Sequence, residues 1–216
     1  ARVVIGVKNL KIFAFGPRPQ DFLACNAPIQ PLYDLGIEVM ENSELDLLQA
    51  YRKAAPKTRQ IKAVERDMAQ ELGKGNAYPE LLPKLAQFEV ALLDFLSANL
   101  GASSYGVFAD KCWPAFEAEF GFVPCYVNGR LAGRGIPVAC EVDMYGALSE
   151  YMIQLATGAP ATLLDINNSV PREMIKGNLG GAAARDLFMG FHCGNTFSGC
   201  MDNCCMKFQL IMNRLM

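Results

Sequence analysis

The sequence predicts an α/β fold in three layers, a mostly parallel sheet with helices on both faces. Two observations carry this. Short apolar runs of strand type alternate with longer runs whose apolar residues recur at helical spacing. In addition, several of the apolar runs end in a carboxylate or a histidine, as expected where loops at the carboxyl ends of parallel strands build a site.

The first run, "LKIFAFG", reads as a strand and is followed by the turn "GPRPQDF" and a helical stretch through "LYDLG". The short strand "IEVME" comes next, then the helix "SELDLLQAYRKA", which Ser43 is placed to cap. Helices dominate from Lys62 to Gly101: "VERDMAQELG" stops at a glycine, and so does "YPELLPKLAQFEVALLDFLSANLG". Alternation then resumes with the strand "SYGVFA", the helix "CWPAFEAEFG", the strand "GIPVACEVD" and the helix "MYGALSEYMIQLATG". "PATLLDINN" and "DLFMGFHCGN" read as two further apolar strands, separated by the loop "KGNLGGAAARD". The last residues, "QLIMNRLM", read as a helix cut in mid-course, and the first, "ARVVIGVKN", show neither an initiator methionine nor a signal pattern, so the chain reads as a fragment.

Composition narrows the function. Of 216 residues, 51% are hydrophobic and 19% charged, enough apolar material for a large core and too much for disorder. A net charge of -2 with no basic stretch argues against a nucleic-acid partner. No apolar run reaches the ~18 residues of a spanning helix, so no membrane partner is expected. Cys25, Cys112, Cys125 and Cys140 each stand alone among core-type residues, which reads as reduced thiols in a cytoplasmic protein.

Three apolar strands thus end in a potential metal ligand: Glu141, Asp165 and His192. Intervals of 24 and 27 residues suit strand, helix, strand crossovers, so neighbouring parallel strands would bring the three to one spot. Two carboxylates and an imidazole suit Mn²⁺ or a similar divalent ion. The plainer alternative is a helix-capping role for each acid and a core position for the histidine. Asp143, at the start of the "MYGALSEY" helix, is assigned to capping. Cys193, Cys200, Cys204 and Cys205 lack the paired C-x-x-C spacing of structural zinc sites. Lys111 and Trp113 occupy another strand-to-helix junction, where an indole lines a pocket or fills the core. Arg18 in "GPRP" is placed for a phosphate or an acidic neighbour, or simply belongs to a proline turn, and "GNLGG" lacks the lysine of a phosphate loop.

The segment from "CWPAFEAEFG" through "CEVDMYGALS" to "LLDINN", together with "LKIFAFGPRPQDF", resembles the L-fucose isomerase and L-arabinose isomerase superfamily, in particular its bacterial fucose isomerase-like branch. The resemblance implies a Rossmann-like second domain over residues 1–156 and the beginning of a truncated carboxyl-terminal domain over 157–216. It implies a Mn²⁺-dependent aldose–ketose isomerase acting on a pentose or 6-deoxyhexose, assembled as a homo-oligomer, commonly a hexamer. Glu141 and Asp165 match the acidic ligands that also exchange protons between C1 and C2 through an enediol. His192 matches the histidine ligand of the arabinose branch, whereas in the fucose branch that ligand lies further along the chain. Lys111, Trp113 and Asn195 are assigned to the sugar pocket. The rival readings are a sugar-binding or sensing module without catalysis and an oligomerising scaffold.

Overall fold

The computed structural model describes residues 1–192 and 195–201. Its centre is strand β1 (Leu10–Phe15), every residue of which is buried. Strands β2 (Glu38–Asn42), β3 (Tyr105–Ala109) and β4 (Val138–Ala139) complete a four-stranded sheet in the order β2-β1-β3-β4, all parallel. Side chains of a strand alternate between faces. Leu10, Ile12 and Ala14 of β1 accordingly enter one apolar cluster, and Phe13 and Phe15 enter the other.

Helices cover both faces. On the first lie α1 (Arg2–Lys8), α2 (Gln30–Asp34) and α8 (Met144–Thr157), represented in the cluster by Val7, Leu32 and Met144, Ala147, Leu148 and Tyr151. On the second lie α3 (Glu44–Ala54), α4 (Thr58–Leu72), α5 (Leu82–Asn99), α6 (Ala115–Phe120) and α7 (Cys125–Gly133). Ser43 starts α3 as expected: its hydroxyl accepts from the Asp46 amide at 3.2 Å, and the Asp46 carboxylate accepts from the Ser43 amide at 2.7 Å. This capping box satisfies two otherwise unpaired amides at the helix start. Among the described residues no helix is long and apolar enough to cross a membrane.

Sequence reasoning left α1 and α7 without an assignment. Helix α7 carries Asn128, Gly129 and Gly133, poor helix formers, and owes its stability to packing and ion pairing. Buried Arg130 donates from Nε to Glu89 at 2.9 Å and from Nη2 to Asp67 at 2.7 Å, and also pairs with Glu71. Arg134 joins the same acids at 2.5 Å (Glu89) and 2.7 Å (Asp67), so α4, α5 and α7 are tied together through one network. The Glu89 side chain is wholly buried between two guanidinium groups, and burial still holds its carboxyl above the usual value, with Arg134 opposing.

Two expected strands are placed differently. "PATLLDINN" and "DLFMGFHCGN" were expected to extend the parallel sheet, but β5 (Asp165–Asn167) and β6 (Met189–Phe191) form a separate antiparallel pair. Parallel pairing usually needs a helical crossover. The connection between β5 and β6 has only two short 3-10 turns, Arg172–Met174 and Ala184–Asp186, so it has no helix to pack against a sheet. The pair leaves Leu164, Ile166, Phe188 and Phe191 exposed. The stretch read as a truncated terminal helix, and three of the four cysteines considered for zinc, Cys193, Cys204 and Cys205, lie outside the described residues.

Removing Arg130 leaves Glu89 buried beside a single, partly exposed Arg134. Arg130→Ala is therefore expected to lower stability by about 3 kcal/mol, with part recovered in the Arg130→Met, Glu89→Gln double variant. Urea unfolding measures both, and a cost for the single variant below about 1 kcal/mol would rule out a holding role for the network.

Candidate functional site

The candidate site lies at the carboxyl end of the parallel sheet, where β3 and β4 finish side by side. Beyond β4 the ladder continues for one more step on each side. The Asp110 amide donates to the Ala139 carbonyl at 3.0 Å, and the Val142 amide donates to the Asp110 carbonyl at 2.7 Å. Between those bonds the chain makes a 3-10 turn, Cys140–Val142, in which Glu141 has φ 61° and Val142 φ 53°. Two consecutive left-handed residues without glycine, one of them β-branched, are costly and persist only where surrounding contacts impose them. The turn holds the Glu141 side chain half-buried at the end of the sheet.

Around Glu141 the structure gathers thiols and acids. Cys140 Sγ lies 3.6 Å from Glu141 Oε1 and 4.0 Å from Cys112 Sγ. Cys112, Cys140 and Glu141 each offer a donor atom within 4.8 Å of the other two, the one such group among the described residues. Cys112 and Cys140 are buried together with Cys125 beneath Trp113 and Val123. Next to them Asp110 is fully buried, and its Oδ1 accepts from Asn128 Nδ2 at 2.9 Å. Burial pushes the Asp110 carboxyl up from 3.8 to about 7; the Asn128 hydrogen bond opposes the rise and the charge of Glu141 adds to it. On the other side, burial and the charges of Asp143, Glu141 and Asp165, in that order, push the Cys25 thiol up to about 11, with Arg18 opposing. Three carboxylates therefore act on one thiol.

The residues singled out from sequence fall into distinct places. Of the three expected metal ligands only Glu141 follows a strand of the parallel sheet. Asp165 begins β5 instead of ending a strand, and pairs with Phe191. That antiparallel register sets His192, the residue after Phe191, at the same end of the β5–β6 ladder as Asp165, away from the expected ends of neighbouring parallel strands. His192 lies close enough to the Cys140 thiol to oppose the upward push of Cys112 and burial on it, and its Nδ1 accepts from the Asn195 amide at 3.0 Å. A neutral imidazole has one ring lone pair, here used by that amide, so in this arrangement His192 does not fit a ligand role. Glu141 and Asp165 carry oxygen donors of the type a hard divalent ion takes, but among the described residues Glu141, Asp165 and His192 do not form a close donor group.

Asn195, expected at the sugar, is buried and donates to the Val138 carbonyl at 2.7 Å, fixing the chain after His192 against β4. The next residues press on α7, where a Cβ on Gly129 would meet the Thr196 carbonyl oxygen at 2.4 Å and one on Gly133 the Phe197 ring at 2.2 Å. Lys111 is buried and reaches Glu44 at 3.4 Å, across the end of β1. Arg18 bonds the Ala27 carbonyl, within its own loop. Asp143 caps α8 as expected, accepting from the Gly146 amide at 2.8 Å.

Sequence reasoning missed Asp110, Cys112, Cys140 and Glu150 as members of this neighbourhood. The first three stand at strand ends, in "VFADKC" and "PVAC"; the position was given weight for acids and histidine, which passes over the two cysteines, while Asp110 was overlooked although it meets that pattern. Glu150 carries no such mark. It is buried on α8, accepts from the Leu163 amide at 3.0 Å, and is pushed up to about 7 by burial, with that amide and His192 opposing and Asp143 adding to the rise.

No protein-family model matches the chain. Curated relatives do match it. Over 166 residues, 76% of this chain, it is 27% identical to a sulfoquinovose isomerase of Priestia megaterium, and over 162 residues, 73% of this chain, it is 30% identical to one of Alkalicoccus urumqiensis. The chain spans about a third of the length of these relatives, 35% and 34% respectively. The similarity supports a sugar isomerase family.

Asp110 and Glu150 both hold a proton more tightly folded than unfolded, since their carboxyls move from 3.8 and 4.5 to about 7. The stability they contribute is complete below their unfolded values and lost as pH rises toward about 7. Asp110→Asn is expected to flatten the fall in stability across that window by up to about 1.4 kcal/mol per pH unit. Chemical denaturation at stepped pH checks this, and an unchanged slope would refute it.

Proposed function

We propose that the chain carries the acid–base groups of a divalent-metal-dependent aldose–ketose isomerase. The observation that carries this reading is the placement of Glu141, set by a left-handed turn at the carboxyl end of the parallel sheet, with the charge of Asp165, 24 residues on in sequence, acting with it on the Cys25 thiol. Similarity to sulfoquinovose isomerases over three quarters of the chain supports it independently. Aldose-to-ketose conversion moves a hydrogen between C1 and C2, which needs a base at carbon and a proton donor at oxygen. Glu141, held out by its left-handed turn, is the base that takes the proton from C2 and returns it at C1. Asp165 moves the proton at the sugar oxygens, and the two roles are exchangeable by symmetry of the reaction.

Glu141 and Asp165 would also hold the ion, Mn²⁺ being the proposed cofactor, and it would supply charge stabilisation at the polarised carbonyl. The reading takes the substrate as an aldose of the pentose or 6-deoxyhexose class. The names of the relatives add sulfoquinovose to L-fucose and L-arabinose as sugars to test. A homo-oligomer in the cytoplasm completes the proposal.

In the full-length protein, Glu141→Gln and Asp165→Asn are each expected to lower turnover by about 10²- to 10⁴-fold with a smaller change in KM. Chelation is expected to abolish turnover and added Mn²⁺ to restore it. Isomerisation of the three sugars, followed by ketose formation, is the assay. Unchanged turnover in Glu141→Gln, or full sugar binding with no turnover under any metal condition, would favour a binding module and sink the isomerase reading.

A further inference from the structure

We propose that Cys112, Cys140 and Glu141 form a second cation site, specific for a thiophilic divalent ion of the Zn²⁺ type, which shares Glu141 with the sugar site. Two of the three donor separations are those of a tetrahedral ion to within a few tenths of an ångström. Two sulfurs each about 2.3 Å from such an ion lie about 3.8 Å apart, and a sulfur and a carboxylate oxygen about 3.5 Å apart. The corresponding separations here are 4.0 Å for Cys140 Sγ to Cys112 Sγ and 3.6 Å for Cys140 Sγ to Glu141 Oε1. The third pair also lies within 4.8 Å.

Local chemistry supports the same ion. The two cysteines are buried at 0% and 3% exposure, while Glu141 is half-buried. A zinc-bound thiol gives up its proton outright, so the ion itself supplies the compensation that two buried thiolates require. His192, its Nδ1 set by the Asn195 amide at 3.0 Å, neighbours Cys140, where an outer residue would steady a coordinating sulfur. Thiolates select Zn²⁺ over Mn²⁺, whereas a pair of carboxylates does not. Glu141 belongs to both donor sets, so a thiophilic ion on the sulfurs withdraws it from the sugar site. That last consequence rests on the isomerase reading; the binding itself does not.

Cd²⁺ serves as the probe, added to metal-free, reduced full-length protein while thiolate-to-metal charge-transfer absorption is followed. The expected result is a band that saturates at one Cd²⁺ per chain, is lost in Cys112→Ser and in Cys140→Ser, and is retained in Cys200→Ser. Glu141→Gln is expected to keep the band with at least tenfold weaker binding. X-ray absorption of the Zn²⁺-loaded wild type is expected to show two sulfur neighbours at about 2.3 Å, a readout independent of whether any variant folds. A band that survives both Cys112→Ser and Cys140→Ser overturns the proposal, as does a Zn²⁺ environment of nitrogen and oxygen alone or of four sulfurs. Zn²⁺ is further expected to inhibit Mn²⁺-supported turnover. Saturable two-thiolate binding in a protein without isomerase activity would support this site and overturn the isomerase reading alone.

Discussion

One hydrogen bond, from the Val142 amide to the Asp110 carbonyl at 2.7 Å, organises the site. It closes the end of the β3–β4 ladder and obliges Glu141 and Val142 to turn through left-handed backbone conformations. The same turn lays Cys140 over Cys112, presents Glu141 at the end of the sheet, and seals the Asp110 side chain beneath. Strain at Glu141, burial at Asp110 and convergence of the thiols share this cause. Backbone strain of this kind concentrates where a side chain must be aimed.

Buried charge helps to hold the elements around this turn in place. Arg130 and Arg134 tie α4, α5 and α7 together, while Ser198 donates to Glu71 at 2.5 Å and so attaches the segment after His192 to the same network. Glycines 129 and 133 give that segment a close seat on α7. The chain that carries His192 and Asn195 is thereby fixed against β4 from two sides. Asn195 ties that chain to β4 through the Val138 carbonyl, and its amide in turn orients the His192 ring.

Much of the layered fold was legible in the sequence. β1, β2 and β3 are apolar runs bounded by turns, and α3 announces itself through Ser43 and Asp46. These elements are specified locally, by periodicity and by capping. Helix α7 was illegible for the complementary reason, since its stability comes from Glu89, Glu71 and Asp67 on other helices. The pairing of β5 with β6 was misread because a three-residue strand has too little pattern to declare its partner or direction.

By itself the sequence determined the α/β alternation and the position of Glu141 at the end of a strand, because hydrophobic periodicity and strand termini are properties of neighbouring residues. It also determined the capping role of Asp143, which depends on residues three positions apart. Only the tertiary structure decided which groups meet Glu141. The convergence of Cys112 and Cys140, the upward shift of Asp110, and the placement of His192 beside Cys140 all arise across distant stretches of chain. Distances and dielectric surroundings are set by packing, and no local pattern encodes them.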